Sequence, residues 1–272
     1  MNKVKVTIIM SAYNASCHLE SSMESILKQT FEDFEFIVVN DGSTDSTLNI
    51  LDSYRQKDNR VKIIVNTRNI GLTKSLNETI RIAKGEYIAR MDADDIALPE
   101  RLENQVNFLD KNPDVGMVGT AYYEIDSKGK IVGEKVFPTT DKKLRCILIR
   151  YNPFFHGSVM IRKEVFDRVG LYNENIPKAQ DYELWFRIAK NYEIANLPVS
   201  LMMRRYSKRK TLIGENEQIK WAINIRIKYI KNGQYPLRSF FYLLRPFIVY
   251  ITPAPIRLFV RQKVLGRNIY NY

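Results

Sequence analysis

Cysteine and histidine are nearly missing: the 272 residues contain two of each. Cys17 and Cys146 are too few and too far apart for a disulfide framework or a thiolate metal cluster. Both are expected to be buried free thiols. His18 and His156 alone leave no histidine-based zinc site. Neither Gly-x-Gly-x-x-Gly nor Gly-Lys-Ser/Thr occurs, which excludes a dinucleotide fingerprint and a phosphate loop. In the C-terminal region the longest uncharged run, residues 246–256, holds three prolines and is too short to span a bilayer. The N-terminal segment has neither the apolar core nor the small-residue cleavage site of a secretory signal, and a cytoplasmic location is the expectation.

Negative charge is missing from one end only. The chain has a formal charge of +12, but residues 201–272 carry 15 Lys/Arg against Glu215 and Glu217, a net of +13. The first 200 residues are therefore almost neutral. Apolar residues make up 45% and charged residues 26%, ordinary values for a chain with a sizeable core.

Short β-branched runs at 6–10, 35–39, 61–65, 87–91 and 116–121 alternate with helix-period segments at 19–29, 44–56, 72–83 and 101–110. In the first of these helices Leu19, Met23, Ile26 and Leu27 form one apolar face. Such alternation predicts an α/β fold with a mainly parallel, Rossmann-like sheet and flanking helices. Ligands are then expected beyond the carboxyl ends of the strands. A hairpin at 121–136 turns at Ser127-Lys-Gly129. Helices at 140–150, 163–169 and 181–190 and strands at 156–161 and 193–197 complete a catalytic domain placed at 1–215. Residues 216–272 read as a helical, basic extension that starts with Trp221, Ile223, Ile225 and Ile227. From 237 to 264 bulky apolar residues interleave with Arg238, Arg245, Arg257 and Arg261, a pattern suited to the interface of an anionic membrane. The opposing reading is a helical pair packed on the main domain.

The sharpest chemical feature is Arg90-Met-Asp92-Ala-Asp94-Asp95. Three carboxylates in four residues repel one another unless a cation joins them. Mg²⁺ or Mn²⁺ takes oxygen ligands and bridges carboxylates to phosphates. If the strand continues, Asp92 and Asp94 point the same way and Asp95 points elsewhere. The second feature is Asn40-Asp41-Gly42-Ser-Thr-Asp45, in which Gly42 permits a tight turn and Ser43 or Thr44 can cap the next helix. Asp41 is placed to accept hydrogen bonds from a base or ribose. The first strand ends in Ser11-Ala12-Tyr13-Asn14, where Tyr13 offers a flat face to a nucleobase.

Taken with Asn69-Ile-Gly-Leu72 and Ala83-Lys-Gly85, these motifs resemble, in order and spacing, the family 2 glycosyltransferases, and the resemblance runs to about residue 205. It implies an inverting enzyme of GT-A type that moves a sugar from a nucleotide diphosphate, often UDP, to an acceptor hydroxyl with Mn²⁺ or Mg²⁺. Carried over, Ala12, Tyr13, Asn14, Asp41, Asn69, Asp92 and Asp94 would bind the donor. Asp94 would hold the metal on the diphosphate, and Asp95 would support Asp92 or Asp94. Lys178-Ala-Gln180-Asp181 resembles the family's acidic motif, which makes Asp181 the catalytic base and Gln180 its neighbour; the structural alternative for Asp181 is a helix N-cap. His156 resembles a residue of the acceptor wall or is a satisfied core histidine. Arg204 and Arg205, expected after the last strand, could add charge near the diphosphate, although Met203-Arg-Arg-Tyr-Ser-Lys-Arg-Lys210 departs from the family's pattern.

The basic tail points to a saccharide or lipid-linked acceptor and to a peripheral membrane location, with no nucleic-acid partner expected. The competing readings are a sugar-nucleotide nucleotidyltransferase and a non-catalytic protein that binds membrane or nucleic acid. Against the first, Tyr13-Asn-Ala-Ser-Cys-His18 stands where a glycine-rich phosphate loop would open.

Overall fold

All eight residues of strand β2 (Phe34–Asp41) are buried, the mark of a central strand covered on both faces. In the computed structural model, which describes residues 4–205, 212–253, 256 and 257, β2 pairs in parallel with β1 (Val6–Ala12) and β3 (Val61–Asn66). On its other side β1 pairs in parallel with β4 (Tyr87–Asp92). Helices α1 (Leu19–Leu27), α2 (Thr47–Lys57) and α3 (Leu72–Ile82) make the crossovers. The order β3-β2-β1-β4 sends the chain to opposite sides of β1, so a crevice opens beyond the strand ends. Register then levels those ends, with Ser11 beside Asp92 and Ala12 beside Asn40.

Beyond β4 the sheet becomes mixed. The elements that follow are β5 (Ile96–Ala97), α4 (Arg101–Lys111), β6 (Val115–Ile125), β7 (Ile131–Lys135), α5 (Asp141–Leu148), β8 (Met160–Arg162), α6 (Lys163–Val169), α7 (Gln180–Asn191) and β9 (Glu193–Arg205). Strand β8 lies antiparallel between β4 and β6, while β6 runs parallel to β9. The strand expected at 156–161 is shorter: His156–Ser158 forms a 3-10 turn, closed by the Ser158 N–H and hydroxyl donating to the Phe155 carbonyl. Strand β9 is longer than expected and ends at Arg205, so Arg204 and Arg205 belong to it rather than following it. Its far end pairs with β5, a two-residue strand too short to show periodicity.

Both cysteines are exposed, contrary to expectation. In α5 the buried positions are Leu144 and Leu148, and Cys146 lies midway between them on the opposite side of the helix. Cys17 sits in the turn ahead of Leu19, where the buried face of α1 begins.

The basic extension divides in two. Helix α8 (Leu212–Lys231) packs on α7: Ile225, Tyr229 and Ile230 share a buried cluster with Trp185 and Phe186. The Phe186 and Tyr229 rings stack at 4.5 Å. Glu183, 1% exposed, accepts hydrogen bonds from Arg187, Lys228 and the Tyr229 hydroxyl. A 3-10 stretch (Leu237–Leu243) then leads into α9 (Leu244–Ile251), none of whose residues is buried. Leu237, Phe240, Phe241, Leu244, Phe247, Ile248 and Ile251 are 39–74% exposed. They recur at intervals of three and four, so one apolar stripe faces outward. Arg261 and the rest of the interleaved run from 258 lie outside the described residues, as do residues 206–210.

Tyr229→Ala removes a stacked ring and a hydrogen bond to a buried carboxylate. It is expected to lower unfolding free energy by about 3–5 kcal/mol, read from the midpoint of urea denaturation.

Candidate active site

The levelled ends of β1, β2 and β4 enclose a cleft of about 500 Å³. Tyr13, Asn14, Asp41, Asn69, Asp92 and Asp94 all line it. Ala12, fully buried, lies beneath it. Tyr13 is half exposed at the cleft. Asn14 has a positive φ of 48° and its Oδ1 accepts the Thr44 N–H at 2.9 Å, while the Ser43 hydroxyl accepts the Asn14 N–H. Ser43 and Thr44 thus tie two loops together instead of capping α2. Asp45 serves the helix start, since its carboxylate accepts the N–H groups of Thr47 and Ser16.

Asp41 is 2% exposed and organises the next loop. Its oxygens accept Asn66 Nδ2 at 3.0 Å and the Ile70 and Gly71 N–H groups at 2.9 Å. A carboxylate has about four acceptor positions, so one is left for a ligand. Gly42 has a φ of 70°, and a Cβ there would stand 2.4 Å from the Arg68 carbonyl carbon. The close approach of the 68–69 loop, which carries Asn69 to the cleft, requires glycine at that position.

The acidic run does not continue as a strand: β4 stops at Asp92, and the three carboxylates have three different surroundings. Asp92 forms an ion pair with Arg90. Asp95 is 2% exposed, and its Oδ1 accepts the Arg205 N–H at 2.9 Å. Burial, followed by the charges of Asp92 and Asp94, pushes its pKa well above the usual carboxylate range. Asp94 is exposed at the cleft with no cation paired to it among the described residues. Its pKa is raised by desolvation and by Asp92. Arg204 lies over the adjoining rings of Tyr122 and Phe155, donates to the Tyr122 hydroxyl at 3.2 Å, and directs its field at Asp95 and Asp92. Arg205 Nε donates to the Asp94 carbonyl.

The described residues include no group of three or more His, Cys, Asp or Glu able to hold a metal. Asp94 is the exposed carboxylate of the run and lines the cleft, which fits a cation that takes its other ligands from diphosphate and water.

Asp181 lies in the first turn of α7 and is not among the residues that line the cleft. The N-cap is Ala179, not Asp181. Asp181 Oδ2 accepts Asn152 Nδ2 at 2.8 Å. Burial raises its pKa against the opposing effects of the Tyr182 N–H, Asn152 and Arg90. Gln180 beside it is half-buried. His156 is satisfied by the Tyr172 hydroxyl, 2.9 Å from Nε2, and packs edge-on to Trp185. Burial, then Arg90, holds its pKa well below the usual histidine value, so the ring is neutral. The segment from Asn152 to Gly157 links Asp181 to the acidic run, because a Cβ on Gly157 would stand 3.2 Å from Asp92 Oδ2.

The family model described as "Glycosyl transferase family 2" matches residues 7–170. The chain belongs to this family.

Among the relatives of this glycosyltransferase is WfgD of Escherichia coli, named as a UDP-Glc:alpha-D-GlcNAc-diphosphoundecaprenol beta-1,3-glucosyltransferase. The two are 30% identical, over 92% of this chain and 94% of that one. Among solved structures, TarS of S. aureus (residues 1–349) in complex with UDP superposes with a TM-score of 0.71. It is 20% identical, over 97% of this chain and 77% of that one. The mannosyltransferase PcManGT of Pyrobaculum calidifontis, in complex with GDP-Man and Mn²⁺, gives a TM-score of 0.68 at 19% identity, over 94% and 78%. These two likenesses establish the GT-A-type fold. The glycosyltransferase assignment replaces the nucleotidyltransferase and non-catalytic readings.

Sequence reasoning gave no role to Arg90, Asn152 or Tyr172. Arg90 carried a signal, a cation two residues before an acid on one strand face. Asn152 and Tyr172 lie in irregular segments where no periodicity marks them.

Ala179 is 7% exposed and left-handed, with φ 59° and ψ 28°, where an L side chain is strained by about 1–2 kcal/mol. Ala179→Gly is expected to keep or raise stability by up to about 1 kcal/mol, and Ala179→Val to lower it by about 1–3 kcal/mol. Thermal denaturation of the two variants measures both.

Proposed function

We propose that this glycosyltransferase is an inverting enzyme that uses a UDP-sugar and Mn²⁺ or Mg²⁺ and glycosylates a lipid-linked saccharide in cell-surface polysaccharide synthesis. The observation that carries this reading is the placement of Asp94, the exposed acid of the run, beside Tyr13 and Asp41 in one cleft. The relative that acts on a diphosphoundecaprenol-linked sugar from UDP-Glc supports the donor and acceptor classes.

In this reading the Tyr13 ring stacks on the base, Asp41 accepts the base N–H, and Asp92 receives ribose or sugar hydroxyls. Asp94 would hold the metal, which supplies Lewis-acid stabilisation of the leaving diphosphate. Asp181 takes the proton from the acceptor hydroxyl as that oxygen attacks the anomeric carbon from the face opposite the diphosphate. A carboxylate is far too weak a base to ionise an alcohol beforehand, so proton transfer accompanies attack. Burial helps here, because a raised pKa brings the base closer to the operating pH.

The outward stripe from Leu237 to Ile251 supports a peripheral position on the cytoplasmic face of an anionic membrane. No helix among the described residues is long and apolar enough to cross one.

Calorimetric titration with UDP is expected to show binding that requires Mn²⁺ and is lost in Asp94→Ala. Binding of GDP in place of UDP would change the donor, and binding of no nucleotide would defeat the reading. Asp181→Asn should keep nucleotide binding and lose about 10²–10⁴-fold in transfer rate. The wild-type acid limb of kcat/KM should lie above the ordinary carboxylate value, since activity falls as Asp181 gains its proton. For the membrane position, co-sedimentation with anionic but not zwitterionic vesicles is expected, and Phe241→Glu with Phe247→Glu should abolish it.

A further inference from the structure

The stretch that carries the outward apolar stripe is anchored on one short piece of chain. Just ahead of it, the Tyr235 hydroxyl donates to the Arg145 carbonyl at 3.0 Å. The Tyr242 hydroxyl accepts a hydrogen bond from Arg150 Nη2 at 2.8 Å, and the same guanidinium lies 4.5 Å over the Tyr242 ring. Leu243, 8% exposed, shares a buried cluster with Leu144, Leu148 and Ile149. All these partners lie between residues 144 and 150, in α5 and the turn that ends it.

That turn leads directly to the side chain that holds Asp181. The Arg150 and Tyr151 N–H groups both donate to the Ile147 carbonyl. Asn152 follows, fixed at both ends: its Nδ2 donates to Asp181 at 2.8 Å and its Oδ1 accepts the Phe154 N–H at 3.2 Å. A run of contacts therefore connects the stripe to Asp181 through Tyr242, Arg150 and Asn152. The first contact is the weakest, because Arg150 is exposed and Tyr242 only half-buried. A cation over an aromatic ring contributes little in water and more when water is excluded. The neighbours of Tyr242 are Phe240, Phe241 and Leu244, 39%, 74% and 57% exposed. With these three in a membrane interface, the Tyr242 ring stands at headgroup level and anionic lipid attracts Arg150.

We infer that Tyr242 and Arg150 form a latch through which membrane contact orders the segment that holds Asp181. A membrane that binds only the seated stretch shifts the population toward the latched form. Arg150 then fixes the turn that presents Asn152 to Asp181. The enzyme is most ordered where a lipid-linked acceptor is found. The inference rests on the peripheral membrane position proposed above.

Hydrogen exchange resolved to single amides, with and without vesicles of equal parts phosphatidylglycerol and phosphatidylcholine, tests it. Phe154 is the informative amide, being 4% exposed and bonded to the Asn152 side chain, so a membrane does not shield it by covering it. In the wild type, vesicles are expected to slow exchange at Arg150, Tyr151 and Phe154 by about 3–10-fold. Arg150→Met and Tyr242→Leu should sediment with vesicles as the wild type does and lose that slowing. Tyr242→Phe, which keeps the ring, should retain part of it, and Phe241→Glu with Phe247→Glu should show none. Exchange in β1, β2 and β3 reports that each variant is folded. If Tyr242→Leu does not fold, Arg150→Met, a change at an exposed side chain, decides.

A vesicle-bound wild type whose Phe154 amide exchanges as it does in solution would overturn the inference. Slowing that persists in vesicle-bound Arg150→Met would overturn it equally. A wild type that does not bind the vesicles defeats the membrane position itself, and the latch with it.

Discussion

Repulsion among Asp92, Asp94 and Asp95 is the constraint around which the rest of the site is arranged. Three like charges this close cannot all remain ionised without compensation, and the fold compensates two of them. Arg90 pairs with Asp92, and the end of β9 closes over Asp95 through the Arg205 N–H. Asp94 is the acid of the run left exposed, at the lining of the cleft. This explains why β9 extends as far as Arg205 and why the two-residue β5 exists at all: their pairing brings the end of β9 against the acidic turn.

Asp181 is coupled to this arrangement through a short irregular segment. Asn152 holds Asp181, and Gly157 leaves room for Asp92, so a shift of the segment displaces both carboxylates. Helix α7 adds a second restraint, because the left-handed Ala179 sets the direction from which Asp181 enters. Strain of this kind persists where the surroundings over-determine it: Trp185 and Phe186 of α7 share a buried cluster with Tyr229 of α8. Helix α8 therefore contributes to the position of Asp181 without touching it.

The C-terminal extension combines two physical behaviours. Helix α8 buries Ile225, Ile230 and Tyr229 in a cluster with α7 and supplies Lys228 to a buried acid, which makes it part of the core. The stretch after Leu237 turns an apolar stripe outward in a region with no acidic residue beyond Glu217. The sequence reading treated membrane contact and packing as alternatives, whereas in the structure packing belongs to α8 and the exposed stripe to the residues that follow.

Much of the cleft was legible in the sequence. Strand and helix periodicity located β1 to β4 and their crossovers, and five motifs in order named the family, because local backbone chemistry at strand ends leaves a local signature. Asp94 and Asp41 could be singled out for the same reason. Tertiary structure alone decided which acid of the run stays open, since that depends on Arg90 and Arg205, the latter 111 residues beyond Asp94. It alone decided that His156 is satisfied by Tyr172, that Asp181 is held by Asn152, and that both cysteines face solvent. Those outcomes depend on partners distant in the chain and on irregular segments, and neither leaves a periodic trace in the sequence.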